Sequence, residues 1–145
     1  MGFRLKTSKK TKEIFEEVAA SSNLKPFALS KIAVSMSLKN NTPIEEYNSN
    51  DGNGLELQRS TVTGEFDYIY KSLIEMNLGR HITDDEYYPQ YMKLHIDRGA
   101  ELLYNSYKYS GGNLEKFLNQ LLNKGDVIIW FILIIVLLLQ LIQRY

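Results

Sequence analysis

The sequence predicts a mainly helical protein with a short N-terminal strand and a hydrophobic helix at its C-terminal end. Three observations carry this. Apolar and basic residues alternate over Phe3 to Ser8. Four stretches then show apolar residues at helical spacing, separated by Gly, Pro and Asn. Finally, Val127 to Leu139 is an unbroken apolar run.

Each element follows from its residues. Phe3, Leu5 and Thr7 alternate with Arg4, Lys6 and Ser8, which puts the apolar set on one strand face and the basic set on the other. Ser8 or Thr7 can cap a first helix reaching Asn23, with Ile14, Phe15, Val18 and Ala19 as its apolar stripe. Pro26 suits the first turn of a second helix, where its missing N–H costs nothing. Leu29, Ile32, Ala33 and Met36 form that helix's stripe, and Thr42-Pro43 closes it. Asn48 to Gly54 is rich in turn formers and reads as a mobile loop. A short extended piece follows near Leu55. A third helix is expected from Thr63 to Leu78, with Phe66, Ile69, Tyr70, Leu73 and Met76 inward and Gly79 as its stop.

Thr83 caps a long fourth helix whose first turn carries Asp84, Asp85 and Glu86, where the helix dipole favours them. Pro89 lies early in it, and Ile96, Ala100, Leu103 and Tyr107 make its later stripe. Tyr104, Tyr107 and Tyr109 read as cover for a core edge rather than as base-stacking groups. Gly111-Gly112 is a hinge into a short amphipathic helix marked by Leu114, Phe117, Leu118, Leu121 and Leu122. Counted to Ile142, the apolar run would be about 24 Å long as a helix, against roughly 30 Å of hydrocarbon. The two readings of it are a membrane anchor and a buried oligomerisation helix.

Composition narrows the function classes. The chain has 145 residues, 17 Lys+Arg against 17 Asp+Glu, and no cysteine. Disulfides, thiolate nucleophiles and zinc–thiolate sites are therefore excluded for it. The neutral total hides a gradient: residues 4–39 hold 8 basic and 3 acidic side chains, residues 40–91 hold 3 basic and 10 acidic. A basic block of this kind suits a polyanion.

Catalysis finds no constellation. His81 and His95 lack partners at metal-ligand spacing, no glycine loop is built to cradle phosphate, and the acidic triplet at 84–86 reads as helix-start charge. We therefore expect no catalytic residues, no metal and no cofactor. Glu65, Asp67, His95, Asp97 and Arg98 are the polar residues embedded in apolar helical pattern, and a Glu65–Arg98 ion pair is expected to lock the third helix to the fourth. The basic residues Arg4, Lys6, Lys9, Lys10, Lys12, Lys25 and Lys31 are the candidate DNA contacts. A strand followed by two helices is a ribbon-helix-helix-like unit. Two copies of such a strand would pair into a ribbon that fits the major groove. The helix start at Pro26, beside Lys25, would offer amides to a phosphate.

Three ordered segments carry a resemblance. Pro26 to Leu38 (PFALSKIAVSMSL), Gly64 to Asp67 (GEFD) and His95 to Leu103 (HIDRGAELL), after a basic start, resemble the DndE family of DNA sulfur modification (phosphorothioation) proteins. The likeness covers about residues 3–107. It implies a small helical, non-catalytic subunit that binds duplex DNA and favours nicked duplex. It also implies assembly as a homo-oligomer, a tetramer in the family, with the other phosphorothioation subunits. Lys25 departs from the small capping hydroxyl usual there, and the segment after Gly111 has no counterpart in the pattern. The expected organisation is a helical DNA-binding domain over 1–110, an amphipathic linker helix over 111–125 and a hydrophobic helix over 126–145. The expected location is the cytoplasm, at the membrane if residues 127–142 form an anchor. Two other functional readings remain at this stage: a ribbon-helix-helix transcriptional regulator and a membrane-tethered interaction protein.

Overall fold

The structure, a computed structural model, describes residues 3–49 and 51–123. The hydrophobic helix expected over 126–145 lies outside the described residues. Strand β1 (Arg4–Lys6) leads into helices α1 (Lys9–Ser22) and α2 (Pro26–Lys39). Strand β2 (Glu56–Gln58) and the single turn α3 (Arg59–Val62) come next, then α4 (Asp67–Leu78). A last helical stretch begins as α5 (Asp84–Glu86), widens into a π-helical turn over Tyr87–Met92 and continues as α6 (Lys93–Tyr109), followed by α7 (Leu114–Asn123). The mainly helical class with a short N-terminal strand is as the sequence predicts.

Local signals act where expected. The Ser8 side chain accepts from the Thr11 N–H, and Asn23 closes α1 in the left-handed conformation at φ 61°. Pro26 is the first residue of α2. Thr83 and Glu86 form a reciprocal capping box. Pro89 removes a backbone donor in the middle of the widened turn, which is where the regular ladder gives way.

Two expectations are corrected here. β1 finds its partner within the chain rather than in a second copy: it pairs antiparallel with β2, in the register Arg4↔Gln58, Leu5↔Leu57, Lys6↔Glu56. Leu5 and Leu57 both face the core, so apolar burial fixes this register within one chain. Nor is the 48–54 loop free. Asp51 accepts from the Lys9 N–H at 2.7 Å, and the Gly54 N–H donates to the Thr7 carbonyl at 2.9 Å. A side chain at Gly54 would meet the Ser8 carbonyl oxygen at 2.1 Å, so only glycine allows the loop to lie this close.

The core is centred on α2, packed most heavily on α6 and buried along nearly its whole length. α4 packs through Tyr70 and Ile74, which turns Met76 outward, 74% exposed, against expectation. Apolar residues occupy two neighbouring stripes of that helix, and the packing partner, not the periodicity, selects between them.

Candidate nucleic-acid interface

The basic residues do not form one continuous face. Arg4 is exposed, but its guanidinium pairs with Glu56 across the ribbon at 3.1 Å. Lys10 is paired with Glu101. Lys31 is only 3% exposed, with its ammonium 5.0 Å from the Phe27 ring centre, so it cannot touch DNA. Its place on a helix buried on almost every side explains this correction. Lys25 is exposed at the start of α2, the length of α1 away from Lys9. Ala28 and Leu29 both donate to the Lys25 carbonyl at 3.0 Å, so those amides are used within the helix rather than offered to a phosphate.

Lys6, Lys9 and Lys12 remain. They flank the β1–α1 junction, and among the described residues their ammonium groups make no hydrogen bond or ion pair. Lys6 and Lys9 are exposed and Lys12 is half-buried. The junction beneath them is rigid. Asp97, 1% exposed on α6, accepts from the Ser8 N–H at 3.0 Å, the Thr11 hydroxyl at 2.6 Å and the Lys93 ammonium at 2.7 Å. The Ser49 hydroxyl donates to Oδ2, the same oxygen that takes the Lys93 ammonium, while Ser8 and Thr11 share Oδ1. One carboxylate thus ties the β1–α1 junction, the 48–54 loop and α6 together.

The expected Glu65–Arg98 pair does not form. Arg98 donates to the Ser37 hydroxyl at 2.8 Å and to the Ser37 and Thr42 carbonyls, both at 2.6 Å, while Glu65 is exposed in a 3₁₀ turn. Arg98 serves the C-terminal end of α2, whose last carbonyls need donors. Asp67 takes the role expected of Glu65. It accepts two bonds from Arg59, at 3.0 and 2.5 Å, and others from Thr63 at 2.6 Å and Tyr87 at 3.0 Å. Burial works to raise the Asp67 pKa, but the bonds from Arg59, Thr63 and Tyr87 outweigh it and hold the carboxyl below its ordinary range.

His95 is buried beside Arg98. The Ser37 hydroxyl accepts from Arg98 and is also hydrogen-bonded to His95 Nδ1 at 2.8 Å. His95 Nε2 is buried with no hydrogen-bond partner among the described residues. Burial first, then the Arg98 charge, pushes the His95 pKa from 6.5 to about 3. A depressed histidine pKa gives stability that is complete above the unfolded value and is lost as pH falls from 6.5 towards 3. Urea midpoints at about pH 7 and about pH 4.5 should therefore fall further in the parent than in His95→Gln. The expected gap is about 2–3 kcal/mol, at about 1.4 kcal/mol per pH unit; parallel falls would show that His95 does not titrate in this way.

Among the described residues, no group of three or more His, Asp or Glu side chains comes together to hold a metal. The sequence singled out Asp97 as polar within apolar pattern but gave it no role, and Lys93, Thr11 and Ser49 carried no signal at all.

Comparison with known proteins agrees with this architecture. A search of curated protein sequences finds no match. The fold is similar to the crystal structure of DndE from Escherichia coli B7A involved in DNA phosphorothioation modification. That likeness has a TM-score of 0.57 and 16% sequence identity, and covers 70% of this chain and 95% of that one. The family model described as DNA sulphur modification protein DndE matches residues 4–110. The match takes in β1, the buried α2, the Asp67 motif and the HIDRG helix, and the chain belongs to the DndE family of DNA sulphur modification proteins.

Proposed function

We propose that this chain is a non-catalytic accessory subunit of the DNA phosphorothioation machinery that binds duplex DNA. The observation that carries the reading is the set of Lys6, Lys9 and Lys12 at the β1–α1 junction, whose ammonium groups make no hydrogen bond or ion pair among the described residues and which sit on the segment that Asp97 anchors. These lysines contact backbone phosphates and give little sequence preference. The chain contains no cysteine, so it offers no thiolate to carry sulfur, and binding or scaffolding is the role left to it. It works beside the other phosphorothioation subunits as a homo-oligomer, and its substrate is a duplex, nicked or intact.

Changing Lys6, Lys9 and Lys12 together to Ala should weaken duplex binding. The slope of log K against log salt should flatten by about 0.9 for each phosphate that a lysine no longer neutralises. Lys6 and Lys9 are exposed and Lys12 is half-buried, and none of their ammonium groups is bonded among the described residues, so the urea midpoint should move little. A titration at several salt concentrations that shows the parent's affinity and slope would reject this face.

A further inference from the structure

The acid at the start of α1 comes from elsewhere in the chain. A helix start favours acidic side chains, because its free N–H groups leave it positive. The first turn of α1 holds none, and the helix opens with Lys9, Lys10 and Lys12 instead. Asp51 supplies the carboxylate from 42 positions along, accepting from the Lys9 N–H at 2.7 Å. The same oxygen accepts from the Asn53 N–H at 3.1 Å. Those two bonds, aided by the charges of Lys93 and Lys9, hold the Asp51 carboxyl below its ordinary range, so it is ionised at neutral pH.

The next residue lies along a second lysine of the junction. A Cβ on Gly52 would stand 3.5 Å from the Lys6 Cβ, so residues 51 and 52 run against both the start of α1 and the end of β1. An anionic side chain, only half-buried, is thus held beside the lysines assigned to the duplex. Asp97 is a different case, because it is buried and bonded to the Lys93 ammonium, whose charge offsets its own.

Neither the helix nor the loop depends on the Asp51 charge. Ser8 already caps α1, its hydroxyl oxygen accepting from the Thr11 N–H at 3.1 Å. The loop is tied to the end of β1 by the Gly54 N–H on the Thr7 carbonyl at 2.9 Å and by the Leu55 N–H on the Thr7 hydroxyl at 2.8 Å. An amide at position 51 would still offer an oxygen to the Lys9 N–H. What the carboxylate adds is a negative charge where a phosphate must approach, and water and salt reduce that repulsion without abolishing it.

We propose that Asp51 makes an autoinhibitory contact: its carboxylate occupies the lysine junction and opposes the approach of a backbone phosphate, which sets duplex affinity below what Lys6, Lys9 and Lys12 would give alone. The proposal rests on the DNA-binding reading of those lysines. Neutralising this one side chain tightens binding without adding a contact.

The test is duplex titration, at low and at higher salt, of the parent, Asp51→Asn, Asp51→Glu and the triple variant Lys6→Ala, Lys9→Ala, Lys12→Ala. Asp51→Asn should bind about threefold to tenfold tighter at low salt, the effect of removing one nearby like charge in a largely aqueous setting. The gain should shrink at higher salt, as the screening length falls below about 10 Å. Asp51→Glu keeps the charge but not the geometry, and should bind as the parent does. Asp51→Asn added to the triple variant should bring no gain, because the lysines that draw a phosphate to the junction are gone. If Asp51→Asn binds no more tightly than the parent while the triple variant binds more weakly, the autoinhibitory contact is overturned and the lysine face stands. An Asp51→Glu protein as tight as Asp51→Asn overturns it too, since a loosened loop rather than a lost charge would be the cause. A triple variant that binds like the parent rejects the face and the contact together.

Discussion

Asp97→Ala should destabilise the protein by about 3–5 kcal/mol, the range for removing one member of a buried ion pair. The carboxylate satisfies four donors at once: the Ser8 N–H, the Thr11 and Ser49 hydroxyls and the Lys93 ammonium. Removing it leaves a buried N–H and a buried hydroxyl without acceptors, each costing about 1–3 kcal/mol, and leaves Lys93 without its counter-charge. Urea unfolding should show a lower midpoint with an unchanged slope. Hydrogen exchange should quicken first at the start of α1 and in the loop around Asp51, because those segments are tied through Asp97. A loss below about 1 kcal/mol would mean that the hub does not hold the junction. Duplex binding should also weaken, since Lys6, Lys9 and Lys12 all sit on the segment that this carboxylate anchors.

Gly99→Ala should cost about 3 kcal/mol or more, the upper end of overpacking effects. A Cβ on Gly99 would stand 1.8 Å from the Ala33 carbonyl oxygen and 2.3 Å from its carbonyl carbon. These are backbone atoms of α2, so no flexible side chain can swing aside, and the α2–α6 packing must open. The gain in helix propensity, about 1 kcal/mol for Ala over Gly, opposes this but is smaller. The variant should show a lowered urea midpoint and a weakened near-ultraviolet circular dichroism signal. A variant as stable as the parent would show that the helices can separate without loss.

These two residues share one short segment, and that bears on what the sequence could say. The HIDRG motif carries the family resemblance, yet in the structure its residues are packing and bonding groups. His95 and Arg98 meet Ser37, Asp97 meets the α1 start, and Gly99 meets Ala33. The motif of Gly64 to Asp67 does the same through Asp67 and Arg59. The pattern that identifies the family thus records its core. The candidate DNA contacts lie outside these motifs, on surface lysines, where no local rule distinguishes a binding residue from a solvated one. Lys31 and Lys9 look alike in sequence; burial on α2 separates them.

The sequence by itself determined the helical class, the strand at Arg4 to Lys6, the helix starts at Ser8, Pro26 and Thr83, and the family. Each depends on residues within one or two turns of each other, through capping, period and proline geometry. Tertiary structure alone decided that β1 pairs with β2, that Asp67 rather than Glu65 holds an arginine, and that Met76 faces water. It also decided that Lys6, Lys9 and Lys12 are the lysines at the candidate interface whose ammonium groups make no hydrogen bond or ion pair among the described residues. Those outcomes turn on partners distant in sequence, as with Ser8 and Asp97, 89 positions apart. Local periodicity fixes which face of an element is apolar, but only long-range packing chooses what that face meets and which charges find a counter-charge.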